Sequence, residues 1–193
     1  MVKEDDAASR RALLSSAGAT LAGVAALTLA GCGRQAKAGH EAVKKAKPPI
    51  QQADIDILGG LLRLERRTVA AYTAGGPLLT RPDARVARQF LDEELQHTGE
   101  LLSLITAAGG IAAPRPASFD LGHPSSDAEV LALLHSLERA QIVGYLAAIP
   151  RLSPGPVRAA VASILANDAQ HVAVLRLTQG LNPAPSAFVS GAE

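Results

Sequence analysis

A short constellation of residues occurs twice in this chain, and both copies follow residue 50. Each copy contains a glutamate with a tyrosine seven positions later, followed by a carboxylate and a histidine that are separated by two residues. The first copy is Glu65, Tyr72, Glu94 and His97, and the second is Glu138, Tyr145, Asp168 and His171. Because the repeated residues are polar, and not the apolar residues that any helix shares, the repeat predicts two similar halves that both contribute to one site.

The apolar residues around these motifs follow helical spacing in four segments. Aromatic residues make up only 3 % of the chain, so alanine and leucine supply most of the apolar content, which favours helices over strands. Ser126 and Glu129 are spaced as a capping box at the start of the third segment. The predicted helices cover about residues 53–74, 82–108, 126–150 and 153–179.

The connections between the predicted helices differ in length. The first and third are short, so each joins two antiparallel helices into a hairpin. The middle connection, residues 109–125, could span roughly 56 Å when extended, whereas a helix of about 24 residues is roughly 36 Å long. We therefore expect an all-α antiparallel four-helix bundle over residues 51–180, with one long crossover between helices 2 and 3, and a C-terminal tail at residues 181–193.

Six polar residues interrupt the apolar stripes that should face the core of this bundle. Four buried carboxylates would repel one another and would be forced to take up protons. Two divalent cations would balance their four negative charges, and two neutral histidines would add nitrogen ligands. The alternative is a degenerate site in which the carboxylates pair with Arg66 or Arg139. The predicted metal ligands are Glu65, Glu94, His97, Glu138, Asp168 and His171.

The pattern over about residues 52–180 resembles the ferritin-like superfamily of diiron and dimanganese carboxylate proteins, whose bundles contain one long crossover. The resemblance implies one histidine for each metal and four carboxylates that bridge the metals or bind one of them. It also implies that the two divalent metals are iron or manganese, with zinc as a further possibility. Asp168 stands where the family usually has glutamate, so we expect its shorter side chain to lengthen the metal–metal distance or to weaken the Asp168–His171 side.

The remaining tyrosines and histidines allow simpler interpretations. Tyr72 and Tyr145 lie two helical turns after the glutamates on the same face, which favours core residues with hydrogen-bonded hydroxyls over redox-active ones. His123 and His135 have no partners at ligand spacing, and we expect both at the surface.

Residues 1–31 are typical of an export signal. Arg10 and Arg11 precede an apolar run, residues 12–31, in an arrangement similar to the twin-arginine motif, with Leu13 where phenylalanine is more usual. The run is also about long enough for a single membrane anchor, which is the alternative interpretation.

The end of this run resembles a bacterial lipobox. It reads Leu29-Ala30-Gly31-Cys32, and the resemblance implies that Cys32 is lipidated and becomes the first mature residue. Residues 32–50 contain four lysines and Pro48-Pro49 without apolar periodicity, which predicts a flexible tether. We therefore expect an exported protein that is lipid-anchored at the outer face of the cytoplasmic membrane or in the cell envelope.

Charge and composition narrow the functional alternatives. The net charge of +1 does not favour a nucleic-acid partner, and the single cysteine excludes an internal disulfide. One hypothesis is a redox protein that acts on peroxide, dioxygen or ferrous ion. The other is a non-enzymatic metal-binding or structural lipoprotein, with zinc as a candidate metal. Either protein could form a homodimer.

Overall fold

The computed structural model describes residues 51–193, and the four long helices of this part confirm the all-α prediction. Two 3₁₀ turns, Gly76–Leu78 and Ile149–Arg151, follow the first and third helices, and residues 51–193 contain no strand. The helix boundaries agree with the sequence analysis to within three residues. The helices are α1 (Gln52–Gly75), α2 (Arg81–Ala107), α3 (Asp127–Ala148) and α4 (Pro156–Thr178).

The predicted signal, Arg10, Arg11, Cys32 and the tether lie outside the described residues. Within residues 51–193, none of the helices is long and apolar enough to cross a bilayer.

Neighbouring helices of the bundle are antiparallel. The closest pairs are α1 with α2, α3 with α4, and α1 with α3, whereas α2 and α4 pack less extensively. Gly75 at the end of α1 lies against Val130 at the start of α3, and Leu64 lies against Gly144. The second helical hairpin therefore runs in the opposite direction to the first. As a result, equivalent residues of the repeat lie close to each other across the core.

The crossover between α2 and α3 runs along α1. The Nη1 atom of Arg66 donates a hydrogen bond to the carbonyl oxygen of Ala113 at 2.7 Å, and Nη2 of Arg67 donates to that of Asp120 at 3.2 Å. The crossover thus connects opposite ends of the bundle, as its length predicted.

Two helix starts differ from the prediction. Ser126 caps α3 by accepting a hydrogen bond from the backbone N–H of Glu129, but the Glu129 carboxylate accepts from Ser125 instead of closing the predicted capping box. Helix α4 begins after Gly155, whose φ of 102° suits glycine, and not at Ser153. The backbone N–H of Ser153 is occupied by the carboxylate of Asp54 at 2.8 Å, which ties this turn to the start of α1.

Two apolar clusters fill the bundle, one toward each end. The first contains Leu58, Leu101 and Tyr145, and the second contains Tyr72 and Leu134. On every long helix the predicted site residues lie between the segments that form these clusters. The core is therefore apolar at both ends and polar in its middle layer.

We expect alanine to stabilise the bundle at Gly60 and to destabilise it at Gly75. Glycine within a helix costs about 1 kcal/mol relative to alanine, and no atom lies within 4 Å of a Cβ added at Gly60. A Cβ at Gly75 would lie 2.6 Å from Cγ1 of the fully buried Val130, and overpacking of this kind costs about 1–3 kcal/mol. Urea denaturation of the two variants should therefore shift the free energy of unfolding in opposite directions, and shifts of the same sign would contradict this packing.

Candidate metal centre

The six predicted ligands meet in the middle layer of the bundle. Each of the four helices contributes at least one of them, because the helical stripe that faces the core contains a polar residue at this level. All six are buried: His97 is 8 % exposed and the other five are 0 % exposed.

The ligand atoms of these residues form two groups that share Asp168. One group consists of Glu65, His97 and Asp168, and the other consists of Glu94, Glu138, Asp168 and His171, with all ligand atoms of a group within 4.8 Å of one another. Each group contains one histidine and one glutamate from the equivalent positions of the repeat. The geometry is therefore compatible with two metal ions.

The Nδ1 atoms of the two histidines face the carboxylates. Nδ1 of His97 lies 3.7 Å from Oε2 of Glu65 and 3.4 Å from Oδ1 of Asp168, and Nδ1 of His171 lies 3.3 Å from Oε1 of Glu138. Oε1 of Glu94 is 3.5 Å from Nδ1 of His97 and 3.3 Å from Nδ1 of His171, so it lies between the two groups. Asp168 belongs to both groups. The effect of its shorter side chain, on the metal–metal distance or on the Asp168–His171 side, stays a prediction.

Seven buried atoms of the six residues have no hydrogen-bond partner within the chain. Unpaired buried polar atoms are rare and costly, and several that point at one spot are explained by a ligand that they share. Five oxygens and two nitrogens form a donor set that suits divalent transition metals. The residues present therefore fit two divalent cations. The seven atoms are Oε2 of Glu65, Oε1 of Glu94, Oε2 of Glu138, both oxygens of Asp168, and Nδ1 of His97 and His171.

The two tyrosines hold the glutamates of the opposite half. The hydroxyl of Tyr72 donates to Oε1 of Glu138 at 2.6 Å, and the hydroxyl of Tyr145 donates to Oε1 of Glu65. Both tyrosines are buried, which confirms the prediction of core residues with hydrogen-bonded hydroxyls. Each bond leaves one glutamate oxygen free to face the site.

Glu93 orients His171 from the outer side of the site. Its Oε2 atom lies 2.7 Å from Nε2 of His171, and the ring of Phe90 stacks on this imidazole with the ring centroids 4.0 Å apart. With Nε2 carrying the proton and donating it to Glu93, Nδ1 presents its lone pair to the site. Helical spacing places Glu93 on a solvated face of α2, together with Asp92 and Glu100, and leaves open which of these three carboxylates orients a histidine; the structure identifies Glu93.

A surface pocket of about 430 Å³ opens beside His97 between α2 and α4. Glu93, Gln96, Asn167 and Gln170 line it together with His97. His97 is the one ligand residue that keeps any exposure, so this pocket is where solvent comes closest to the site.

Gln141 and Thr68 add a second set of contacts that the sequence analysis missed. Nε2 of Gln141 donates to Oε2 of Glu94 at 2.9 Å, and Oγ1 of Thr68 donates to Oε1 of Gln141 at 2.9 Å. All three residues are buried. The available signal was their equivalent spacing in the repeat, since both interrupt the apolar stripe one turn after a ligand glutamate.

The arginines that could have neutralised the site point elsewhere. Arg66 donates to the crossover, and Nε of Arg139 donates to the carbonyl oxygen of Gly191 in the C-terminal tail at 2.9 Å. The alternative of a degenerate site with arginine-paired carboxylates is therefore not supported. The prediction that His135 lies at the surface was wrong, because its side chain is buried near Arg139 and Arg176, whereas His123 is exposed as predicted.

Without a bound cation, the pKa values of the six residues differ from those of the free side chains. Burial, together with the charge of Glu94, raises the pKa of Glu65 to about 8 and that of Glu138 to about 7. For the histidines burial acts in the opposite direction, but attraction by the nearby carboxylates, which stabilises the protonated imidazoles, outweighs it and raises the pKa of His97 to about 10 and that of His171 to about 11. At neutral pH the histidines are therefore protonated, and metal binding must release protons.

Burial also raises the pKa of Asp168 well above its ordinary value, and the negative charges of Glu65 and Glu138 raise it further. Glu94 differs: burial would raise its pKa, but the close imidazoles of His171 and His97 outweigh burial and lower it. Glu94 is thus the carboxylate that keeps its negative charge beside the two protonated imidazoles.

We expect the domain in chelator to become less stable as the pH rises. The pKa values of Glu65 and Glu138 rise from 4.5, and those of both histidines from 6.5, so the folded chain binds more protons than the unfolded chain above pH 4.5. The lowered pKa of Glu94 acts only below pH 4.5. Thermal unfolding in chelator should therefore give a lower midpoint at about pH 8.5 than at about pH 5.5.

Added Mn²⁺ serves as the control for this measurement, because it binds the deprotonated ligands and should stabilise the domain more at the higher pH. A midpoint that rises with pH in chelator would contradict the burial of these ionisable groups.

Comparison with known proteins agrees with this fold. A family model described as a ferritin-like domain matches residues 53–181. Among solved structures, a conserved hypothetical protein, rv2844, from Mycobacterium tuberculosis superposes with a TM-score of 0.64 at 20 % identity, over 70 % of this chain and 96 % of that chain; at this identity the likeness shows the fold alone. A search of curated proteins found no significant match. The chain belongs to the ferritin-like domain family.

Proposed function

We propose that this protein is a ferritin-like redox protein that binds two iron or manganese ions and uses peroxide or dioxygen as its oxidant. The observation that carries the proposal is the set of seven unpaired ligand atoms, which form two groups around the shared Asp168. Five of the seven atoms are carboxylate oxygens, and a donor set of this kind favours iron and manganese over metals that prefer sulfur. Bound iron or manganese would supply the electrons that the oxidant accepts.

Residues around the site favour small oxidants over large substrates. Of the ligand residues only His97 is exposed at all, and only by 8 %. The pocket beside it is lined mainly by polar groups of α2 and α4, and its volume of about 430 Å³ suffices for peroxide, dioxygen and water. The apolar clusters at both ends of the bundle keep bulk water away from the other ligands.

The chain also offers a route for protons. Glu93 is 27 % exposed in its side chain, lines the pocket and contacts Nε2 of the buried His171. Reduction of one peroxide to two waters takes up two protons together with two electrons, and Glu93 can pass protons between the pocket and the buried imidazole. Tyr72 and Tyr145 keep Glu138 and Glu65, respectively, in place through their hydroxyl hydrogen bonds.

We further propose that the protein acts outside the cytoplasm, attached to a membrane by a lipid on Cys32. The support is the sequence pattern of Arg10 and Arg11 ahead of an apolar run that ends in Leu29-Ala30-Gly31-Cys32. A position on the outer face of the cytoplasmic membrane or in the envelope would suit defence against peroxide or the handling of metal ions.

Replacement of Glu94 by alanine should abolish peroxide- or dioxygen-dependent turnover of the iron- or manganese-loaded protein, because Glu94 supplies the oxygen that lies between the two groups. The helical circular dichroism spectrum should remain. Glu100→Ala is the matched control, since Glu100 lies on the exposed face of the same helix. Unchanged turnover in Glu94→Ala would contradict the proposal. A wild-type protein that retains only zinc and shows no turnover would favour the non-enzymatic alternative.

Replacement of Cys32 by alanine should move the protein from the membrane fraction to the soluble fraction, because it removes the thiol that would carry the lipid. Substitution of Arg10 and Arg11 by lysine should retain the protein inside the cell. Fractionation followed by mass spectrometry measures both effects. A Cys32→Ala variant that stays with membranes at its mature mass would rule out lipidation.

A further inference from the structure

Besides Glu94 and Asp168, the two halves of the site differ at the position three residues after the first glutamate of each half. Glu65 and Tyr72 recur as Glu138 and Tyr145, but the residue three positions after each glutamate is Thr68 in the first half and Gln141 in the second. Among the buried polar residues of these segments of α1 and α3, Thr68 and Gln141 are therefore the pair that differs between the two halves.

Gln141 is held at both ends of its side-chain amide. Its Nε2 atom donates to Oε2 of Glu94 at 2.9 Å, and its Oε1 atom accepts from the hydroxyl of Thr68 at 2.9 Å. The opposite orientation of the amide would place Oε1 against the Glu94 carboxylate, which repels it, so the contact with Glu94 determines the orientation. Gln141 and Glu94 are both 0 % exposed, so no water competes for this bond.

The hydrogen-bond donors are distributed unequally over the four carboxylates. Three glutamates each have one oxygen held by a neutral donor, which is Tyr145 for Glu65, Tyr72 for Glu138 and Gln141 for Glu94. Each of these glutamates keeps one free oxygen. Asp168 receives no hydrogen bond, and both of its oxygens are buried and unpaired.

Resting on the proposed two-metal site, we propose that Gln141 is a positioning residue that limits Glu94 to one ligand oxygen. Asp168 is then the one carboxylate of the six-residue site that offers two oxygens, and it belongs to both ligand groups. Glu94 and Asp168 therefore have different roles: Glu94 presents a single oxygen near both histidines, whereas Asp168 belongs to both groups and has two free oxygens.

This arrangement makes Gln141 matter to both metals. Oε1 of Glu94 lies 3.5 Å from Nδ1 of His97 and 3.3 Å from Nδ1 of His171, so a rotation of this carboxylate changes the surroundings of both groups. The tyrosines differ, because Tyr72 holds only Glu138 in the His171 group and Tyr145 holds only Glu65 in the His97 group.

The test is a calorimetric titration of the mature domain with Co²⁺, combined with visible absorption spectra of the loaded protein. Gln141→Leu removes the donor to Glu94 at similar volume, and we expect it to weaken both Co²⁺-binding steps by about 10–100-fold, the effect typical of outer contacts to metal ligands. The released Oε2 atom should also change the intensity of the Co²⁺ absorption bands, which depends on coordination number.

Tyr72→Phe and Tyr145→Phe are the matched controls, because each removes one neutral donor from one glutamate oxygen. Each should weaken only one of the two binding steps. If Gln141→Leu does not fold, Thr68→Val provides the second variant, since it removes the hydroxyl that holds the amide of Gln141, and it should weaken both steps to a smaller extent.

Two results would overturn the inference: a Gln141→Leu protein with wild-type affinity and absorption, or one in which a single step is weakened as in the tyrosine variants. A wild-type domain that binds fewer than two Co²⁺ ions would instead overturn the proposed two-metal site, so the two failures are distinguishable.

Discussion

Four carboxylates buried in the middle of a small helical core are the constraint on which this structure depends. Their mutual repulsion and loss of hydration would favour unfolding unless every charge is compensated. The chain compensates these charges in three ways. Neutral hydroxyl and amide groups donate a hydrogen bond to one oxygen of each glutamate, and the two imidazoles carry protons. The remaining ligand atoms lie close together at positions where cations fit. Because these contacts join all four helices, the polar layer fixes how the helices pack.

The repeat explains why the contacts cross between the halves. Helices α1 and α3 are antiparallel neighbours, so a residue two turns after Glu65 on α1 approaches the equivalent glutamate on α3, and the reverse holds as well. Tyr72 and Tyr145 therefore bond to Glu138 and Glu65 and not to the glutamates on their own helices. These hydrogen bonds between the halves require the second hairpin to run in the opposite direction to the first. The long crossover along α1 makes that topology possible.

The fold and the six inward-facing residues could be predicted because both follow from spacing along single helices. The periodicity of apolar residues shows which face of a helix points to the core, but it does not give the distances between side chains on different helices. The bond between Gln141 and Glu94 depends on such a distance, so the sequence analysis missed it. For the same reason the sequence left open which carboxylate belongs to both groups and which acidic residue of α2 contacts His171. The burial of His135 escaped prediction for a similar reason, because packing against neighbouring elements, and not the spacing along α3, decides its exposure.

Two surface concavities of the described residues differ in whether they reach the six ligand residues. A groove of about 1090 Å³ between α1, α3 and the crossover is lined by residues such as Ile57, Leu61 and Phe119, and none of the six ligand residues lines it. The smaller pocket touches His97, at the interface of α2 and α4 where the bundle packs least extensively. A bulky organic molecule in the groove would be separated from the ligands by the helices themselves. The pocket between α2 and α4 is thus the concavity that reaches a ligand residue, and under the proposed function it would admit peroxide, dioxygen and metal ions because they are small.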